Sequence, residues 1–316
     1  MSFSPNAQQT AIRAAARTRK SGVVNALAGT GKTSTCALVA QDFADEAPEI
    51  TIAYVAYNAD IAEEAKGRFP ANTDARTAHS FAYQAIVKPA KAFGRVKNYP
   101  TASWEAAKLI GIKGSKTYRV IDETGESVQR VLKPSTLGWI AASTVSRFCR
   151  SADLKVTERH VPRPEGFDKL SHARLAADIL PFAQTYWTLA SSISERGLIM
   201  THDIYLKLFH LSNPRFNVDV ILFDEAQDAN PVIAAIIALQ THCQVIAVGD
   251  PNQAIYGFTG AVNALDSFNA EWKLPLTKTY RFGTAIAETA NKFLALLGSE
   301  NLIEGHDAVA STVVGL

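Results

Sequence analysis

Cysteine is scarce in this chain. Three occur among 316 residues, Cys36, Cys149 and Cys243, far apart and without a CxxC pair. That argues against a disulfide framework or a clustered zinc site and suits a reducing, intracellular setting. Long apolar runs are also missing: no stretch of about 18 apolar residues is present to cross a bilayer as a helix, so no membrane partner is expected. Net charge is nearly absent, a formal +2, which by itself implies no nucleic-acid partner. Internal repeats and low-complexity tracts are lacking too. With 47% hydrophobic residues, the chain can bury one large core or two ordinary ones, so a globular protein with inserted or tandem domains is expected.

The charge that is present is unevenly placed. Between Lys88 and Arg163 there are fifteen Lys/Arg and six Asp/Glu, a basic block that is either a solvated face or a phosphate-contacting one. The acid-poor, Arg- and Ser-bearing N-terminus has the composition of an organellar transit segment. It reads better as a first helix, from about Ala7 to Arg17, leading directly into a strand.

Apolar periodicity alternates strand and helix at both ends of the chain. "GVVNALAG" reads as a buried strand, "KTSTCALVAQDFADEA" as a helix, "EITIAYVAYN" as a second strand with the helix "ADIAEEAKGRF" after it, and "DARTAHS" as a third strand ending near His79. This βαβ arrangement seeds a parallel sheet. The basic middle breaks the alternation with helical patches such as "TLGWIAASTVSRFC", and reads as an inserted, mainly helical subdomain over residues 88–195. Strands return in "VDVILFDEAQD" and "CQVIAVGDPNQ", with Asn230 capping and Pro231 opening the helix between them. "WKLPLTKTYRFG" and the helix "TAIAETANKFLALLG" follow.

The chemistry gathers at strand ends. In "AGTGKT", Ala28, Gly29, Thr30, Gly31, Lys32 and Thr33 form a glycine-rich loop at a helix N-terminus, where free amides and the helix dipole favour phosphate. Lys32 would reach the β and γ phosphates and Thr33 would ligate Mg²⁺. Ala26 stands where the GxxxxGK[ST] pattern has glycine. Asp224 and Glu225 follow the apolar run "VILF" at the carboxyl end of a strand, the first suited to the Mg²⁺ shell and the second to activating a water. Gln253 can position that water or sense the γ-phosphate, and Arg281 can neutralise transition-state charge. Together these point to nucleoside triphosphate hydrolysis.

The series "AxxGTGKT", "DEAQD", "GDPNQAIYGFTGA" and "TYRFG" resembles motifs I to IV of superfamily 1A helicases of the UvrD and Rep type. "YVAYNADIAEEAKGRFP", "TAHSFAY" and "THDIYLKLFHL" are similar to the F-box DNA helicase branch, without its F-box. The resemblance implies ATP as the nucleotide, Gln8 reading adenine, Tyr280 stacking on the base and Arg281 reaching the γ-phosphate. It also implies DNA contacts at Asn58, Thr77 and His79, an aromatic stacking platform at Tyr256 and Phe258, and single-stranded or 3′-tailed DNA as partner. Thr259 and Ala59 replace basic residues usual in the family, and nothing resembles motifs V and VI.

The expected fold is therefore α/β: a RecA-like P-loop NTPase sheet over 1–87 and 196–272, the insertion over 88–195, and the incomplete start of a second RecA-like domain over 273–316. The expected function is ATP-driven DNA unwinding or translocation, 3′ to 5′ by resemblance, with a second polypeptide a candidate to complete the motor. The alternative is an ATP-gated DNA-binding or regulatory module that hydrolyses slowly. A small-molecule kinase would have no use for the long "GDPNQAIYGF" loop.

Overall fold

Asn6 opens the first helix with a reciprocal cap: its side chain accepts from the Gln9 amide at 2.8 Å, and its own amide donates to Gln9 Oε1 at 3.0 Å. The computed structural model describes residues 4–192, 197–253, 265 and 268–313. After α1 (Ala7–Arg17), the chain alternates β1 (Gly22–Ala26), α2 (Lys32–Glu46), β2 (Ile52–Ala56), α3 (Ala59–Lys66) and β3 (Thr73–Thr77). A middle segment holds α4 (Ala78–Ala82), α5 (Ser103–Leu109), β4 (Lys116–Ile121), β5 (Ser127–Leu132), α6 (Pro134–Arg150), α7 (Lys169–Ser191) and α8 (His202–Leu211). The alternation resumes with β6 (Val220–Phe223), α9 (Pro231–Ala238), β7 (Gln244–Gly249), β8 (Trp272–Leu276) and α10 (Thr284–Leu296).

Contacts divide the chain into two compact units, Met1–Ala78 with Arg215–Leu316, and His79–Pro214. In the first, a six-stranded sheet runs in the order β3-β2-β6-β7-β1-β8, every pair parallel. Strands buried on both faces need nearly continuous apolar sequence, which Val23–Val24, Ile52–Ala56, Val220–Phe223 and Val245–Val248 provide. Because all strands share one direction, the residues following β1, β6 and β7 emerge at one edge, where open α/β sheets bind ligands.

The strand expected to open a second sheet does not do so. β8 lies beside β1 in register from Gly22↔Trp272 to Ala26↔Leu276, and Trp272 Nε1 donates to the Lys20 carbonyl at 2.9 Å. A Cβ at Gly22 would sit 2.0 Å from the Trp272 ring, so glycine is what lets the indole lie across β1.

The second unit is mainly helical, with one addition that the sequence reading lacks. β4 and β5 form an antiparallel hairpin, closed by Asp122 accepting from Thr124 and Glu126 amides at 3.0 and 2.9 Å. Gly138 brings α6 against α5: a Cβ there would meet the Ser103 carbonyl at 2.5 Å. Lys207, fully buried, donates to the carbonyls of Ser151 (2.8 Å) and Asp153 just beyond α6.

His210 is also buried, 3.3 Å from Lys207 Nζ. Burial, then the Lys207 charge, pushes its pKa down to about 4. The folded state therefore resists a proton that the unfolded chain accepts below about 6.5. Stability is expected to fall by about 3 kcal/mol from this group as pH drops from 6.5 to 4. Urea unfolding midpoints across that window should slope less in His210→Gln; an unchanged slope would contradict the assignment.

Candidate nucleotide and nucleic-acid site

The loop between β1 and α2 owes its shape to two left-handed glycines, Gly29 at φ 70° and Gly31 at φ 83°, conformations that disfavour side chains. Ala26 needs no such freedom: it ends β1 fully buried, its methyl part of the core. Thr30 pins the loop by donating its hydroxyl to the Leu27 carbonyl at 2.8 Å. Gly31 is the N-cap of α2, and no side chain caps that helix, which leaves its first-turn amides available to an anion. The Ala28 to Thr33 segment thus has the geometry of a phosphate cradle.

Facing it are the acids after β6. Lys32 Nζ pairs with Glu225 Oε2 at 2.7 Å, and Thr33 Oγ1 donates to Asp224 Oδ2 at 3.1 Å. Asp224 is 2% exposed. Burial, then the Glu225 charge, raises its pKa, while hydrogen bonding from Tyr54 opposes the rise. The Tyr54 hydroxyl donates to the same carboxylate oxygen at 2.5 Å. An oxygen-only pair of hydroxyl and buried carboxylate fits a hard cation such as Mg²⁺, whose charge would relieve this burial. Glu225 takes a left-handed backbone, φ 50°, a strain of about 1–3 kcal/mol of the kind held at functional sites.

Gln227 joins the acids to the next strand end. Its Nε2 donates to Glu225 Oε2 (2.8 Å) and Asp228 Oδ2 (3.0 Å), and its Oε1 accepts from the Asp250 amide at 3.0 Å. Gln253 donates to Asp250 Oδ2 at 2.6 Å. A continuous chain of polar contacts thus runs Lys32, Glu225, Gln227, Asp250, Gln253.

Arg281 reaches the loop from beyond β8. The Tyr280 amide donates to the Gly29 carbonyl at 2.9 Å, and a Cβ on Gly29 would meet Arg281 Cβ at 2.7 Å. The Tyr280 hydroxyl accepts from Asn6 Nδ2 at 3.0 Å. Gln8 is held at Thr277: its Oε1 accepts from that amide at 2.9 Å, and its Nε2 donates to that hydroxyl at 2.8 Å. Gln9, fully buried, bonds Thr35 Oγ1 at 3.2 Å and lies closer to the cradle, its Nε2 3.5 Å from a Cβ placed on Gly31.

The residues expected to contact DNA fall in different places. Asn58 caps α3 through its carbonyl oxygen, accepting from the Ile61 amide at 2.9 Å, so a DNA contact would use its amide group. Thr77 ends β3. His79 belongs to the second unit, with Nε2 3.9 Å from Asp203 Oδ1. Tyr256 and Phe258 lie outside the described residues.

Residues 5–270 match the UvrD/REP helicase N-terminal domain. The chain belongs to that helicase family. It is 34% identical over 299 residues to the Schizosaccharomyces pombe F-box DNA helicase protein 1, covering 89% of this chain and 32% of that protein. It is also 34% identical over 272 residues to the Gallus gallus F-box DNA helicase 1, covering 84% and 25%. An 83-residue stretch is 40% identical to Escherichia coli DNA helicase IV, covering 23% of this chain and 12% of that protein. The chain thus spans a third or less of the length of these relatives.

For a UvrD/REP family sheet, the polar side chains that sequence reading missed are Tyr54, Gln9 and Gln227. A tyrosine inside an all-buried strand and a glutamine beside paired acids are weak signals that gain meaning from their partners. Gly249 is the enabling position, since a Cβ there would lie 2.2 Å from Gln227 Oε1. Gly249→Ala is expected to displace the Gln227 amide, to cost about 1–3 kcal/mol of stability for a buried polar group losing its partner, and to lower ATP turnover. Thermal melting, and steady-state turnover measured well below the variant's melting temperature, check the two effects; a variant unchanged in both would contradict the role given to Gly249.

Proposed function

We propose that this chain is an ATP-hydrolysing DNA helicase or translocase unit acting on single-stranded DNA with 3′ to 5′ polarity. The observation that carries the reading is the convergence of Lys32, Thr33, Asp224, Glu225 and Arg281 on one glycine loop, in a chain of a helicase family. Lys32 and the loop amides bind the triphosphate of ATP, and Tyr280 and Gln8 hold its base. Thr33 and Asp224 hold Mg²⁺, which supplies charge neutralisation at the phosphates when bound. Glu225 takes a proton from the attacking water, Gln253 positions that water, and Arg281 stabilises the charge that develops. Asn58, Thr77, His79, Tyr256 and Phe258 contact the strand.

The domain assignment is part of the proposal: residues 1–87 with 196–272 form the first RecA-like domain, to which the sheet adds β8, and 88–195 form the insertion. A second motor domain, supplied on the same or another polypeptide, completes the motor. The decisive experiment measures ATP hydrolysis with and without single-stranded DNA, then strand displacement on 3′- and 5′-tailed duplexes. DNA-stimulated turnover with weak or no unwinding by the chain alone is expected. Absence of hydrolysis with DNA present refutes the motor reading and favours an ATP-gated binding module. Robust unwinding by this chain alone refutes the need for a second motor domain.

A further inference from the structure

Helix α6 shows two unlike faces. Leu137, Ile140, Ala141, Thr144, Val145 and Phe148 are buried, while Trp139, Ser143, Ser146 and Arg150 recur at i, i+4, i+7 and i+11, a single stripe along the helix. That stripe lines a cavity of about 400 Å³ within the second unit, together with His202 and Asp203 at the start of α8. Trp139 stands at this wall 54% exposed, a large apolar surface left in contact with water.

We propose that this cavity receives one base of a single-stranded nucleic acid; the inference rests on the DNA-binding reading above. The stripe matches a nucleotide in order. An indole face suits stacking on any base, the two serine hydroxyls donate or accept at a base edge or sugar, and the Arg150 guanidinium suits a phosphate. The volume is at the small end of ligand cavities, enough for one nucleotide and too small for a duplex.

The charges agree. Asp203 would repel a phosphate if it stood alone, but Arg150 Nε donates to its Oδ2 at 2.9 Å and His79 Nε2 lies 3.9 Å from its Oδ1. The carboxylate therefore holds the Arg150 guanidinium at one corner of the cavity, with the His79 ring on its other oxygen. His79 is proposed above to contact the strand, and it neighbours Asp203 of the cavity lining.

The test is titration of a labelled oligothymidylate at fixed salt, by fluorescence anisotropy, against the unaltered chain and four variants. Trp139→Ala should weaken binding about 5- to 150-fold, the loss of one stacked base, and Trp139→Phe should recover most of it. Ser146→Leu, which fills the cavity from the same stripe, should also weaken binding. Leu154→Ala, an exposed residue of the second unit outside the cavity, should not. A strand with interspersed abasic sites should lose affinity for the unaltered chain but much less for Trp139→Ala. If the Trp139 and Ser146 variants, folded by circular dichroism, bind as tightly as the unaltered chain, the base pocket is refuted and the helicase reading stands. If the unaltered chain binds no single strand, both readings fall.

Discussion

Glu225→Gln is expected to abolish steady-state ATP turnover, by about 10² to 10⁴ for loss of a positioned base, while ATP binding survives. Glu225 sits 2.7 Å from Lys32, the lysine to which the proposed mechanism gives the triphosphate. Glutamine keeps the shape and the hydrogen-bonding reach toward Gln227 but cannot take a proton from water. It also releases Lys32 from an ion pair, so nucleotide affinity should hold or rise. Lys32→Ala gives the opposite signature, losing binding and turnover together. Equilibrium binding of a labelled ATP analogue and turnover with single-stranded DNA separate the two. Near-normal hydrolysis by Glu225→Gln would falsify the assignment of the base.

Arg281→Ala should produce a loss of comparable size, on the order of 10³ to 10⁵ in kcat by analogy with arginines that neutralise phosphoryl-transfer charge, with a smaller change in KM. Its position supports this. The residue before it is bonded to the Gly29 carbonyl, and its own Cβ packs against Gly29, so the guanidinium starts beside the cradle. An interaction made mainly in the transition state lowers kcat, whereas uniform binding shows in KM alone. A variant that raises KM and leaves kcat intact would reassign Arg281 to ground-state binding.

Much of the sheet was legible because its strands carry their own signature: "GVVNA", "VILF" and "QVIAVG" are too apolar for any place but a core. The cradle and the paired acids were legible for the same reason, each being polar chemistry directly after such a run. Other features depend on partners far away in sequence. The hairpin Lys116–Leu132 shows little because only Tyr118, Val120 and Leu132 are buried in it, among basic residues that read as loop. β8 was placed in a second sheet because chain order suggests it, and only pairing with Gly22–Ala26 reveals its home. The relay through Gln227 was invisible until Asp250 and Gly249 stood opposite it, and the choice between Gln8 and Gln9 turns on which helix face meets Gly31.

The position of β1 has a consequence in time. Its neighbours are β7 and β8, both from far downstream, so on the ribosome this apolar strand has no sheet partner until residues beyond Gln244 have emerged. At about 5–20 residues per second, that is a wait of roughly ten seconds or more, during which an unpaired strand edge is open to wrong partners. The glycine loop proposed to hold phosphate hangs from the end of that strand. It therefore takes shape among the last parts of its unit, and the first binding of nucleotide to a nascent chain would mark the moment when synthesis has passed β8.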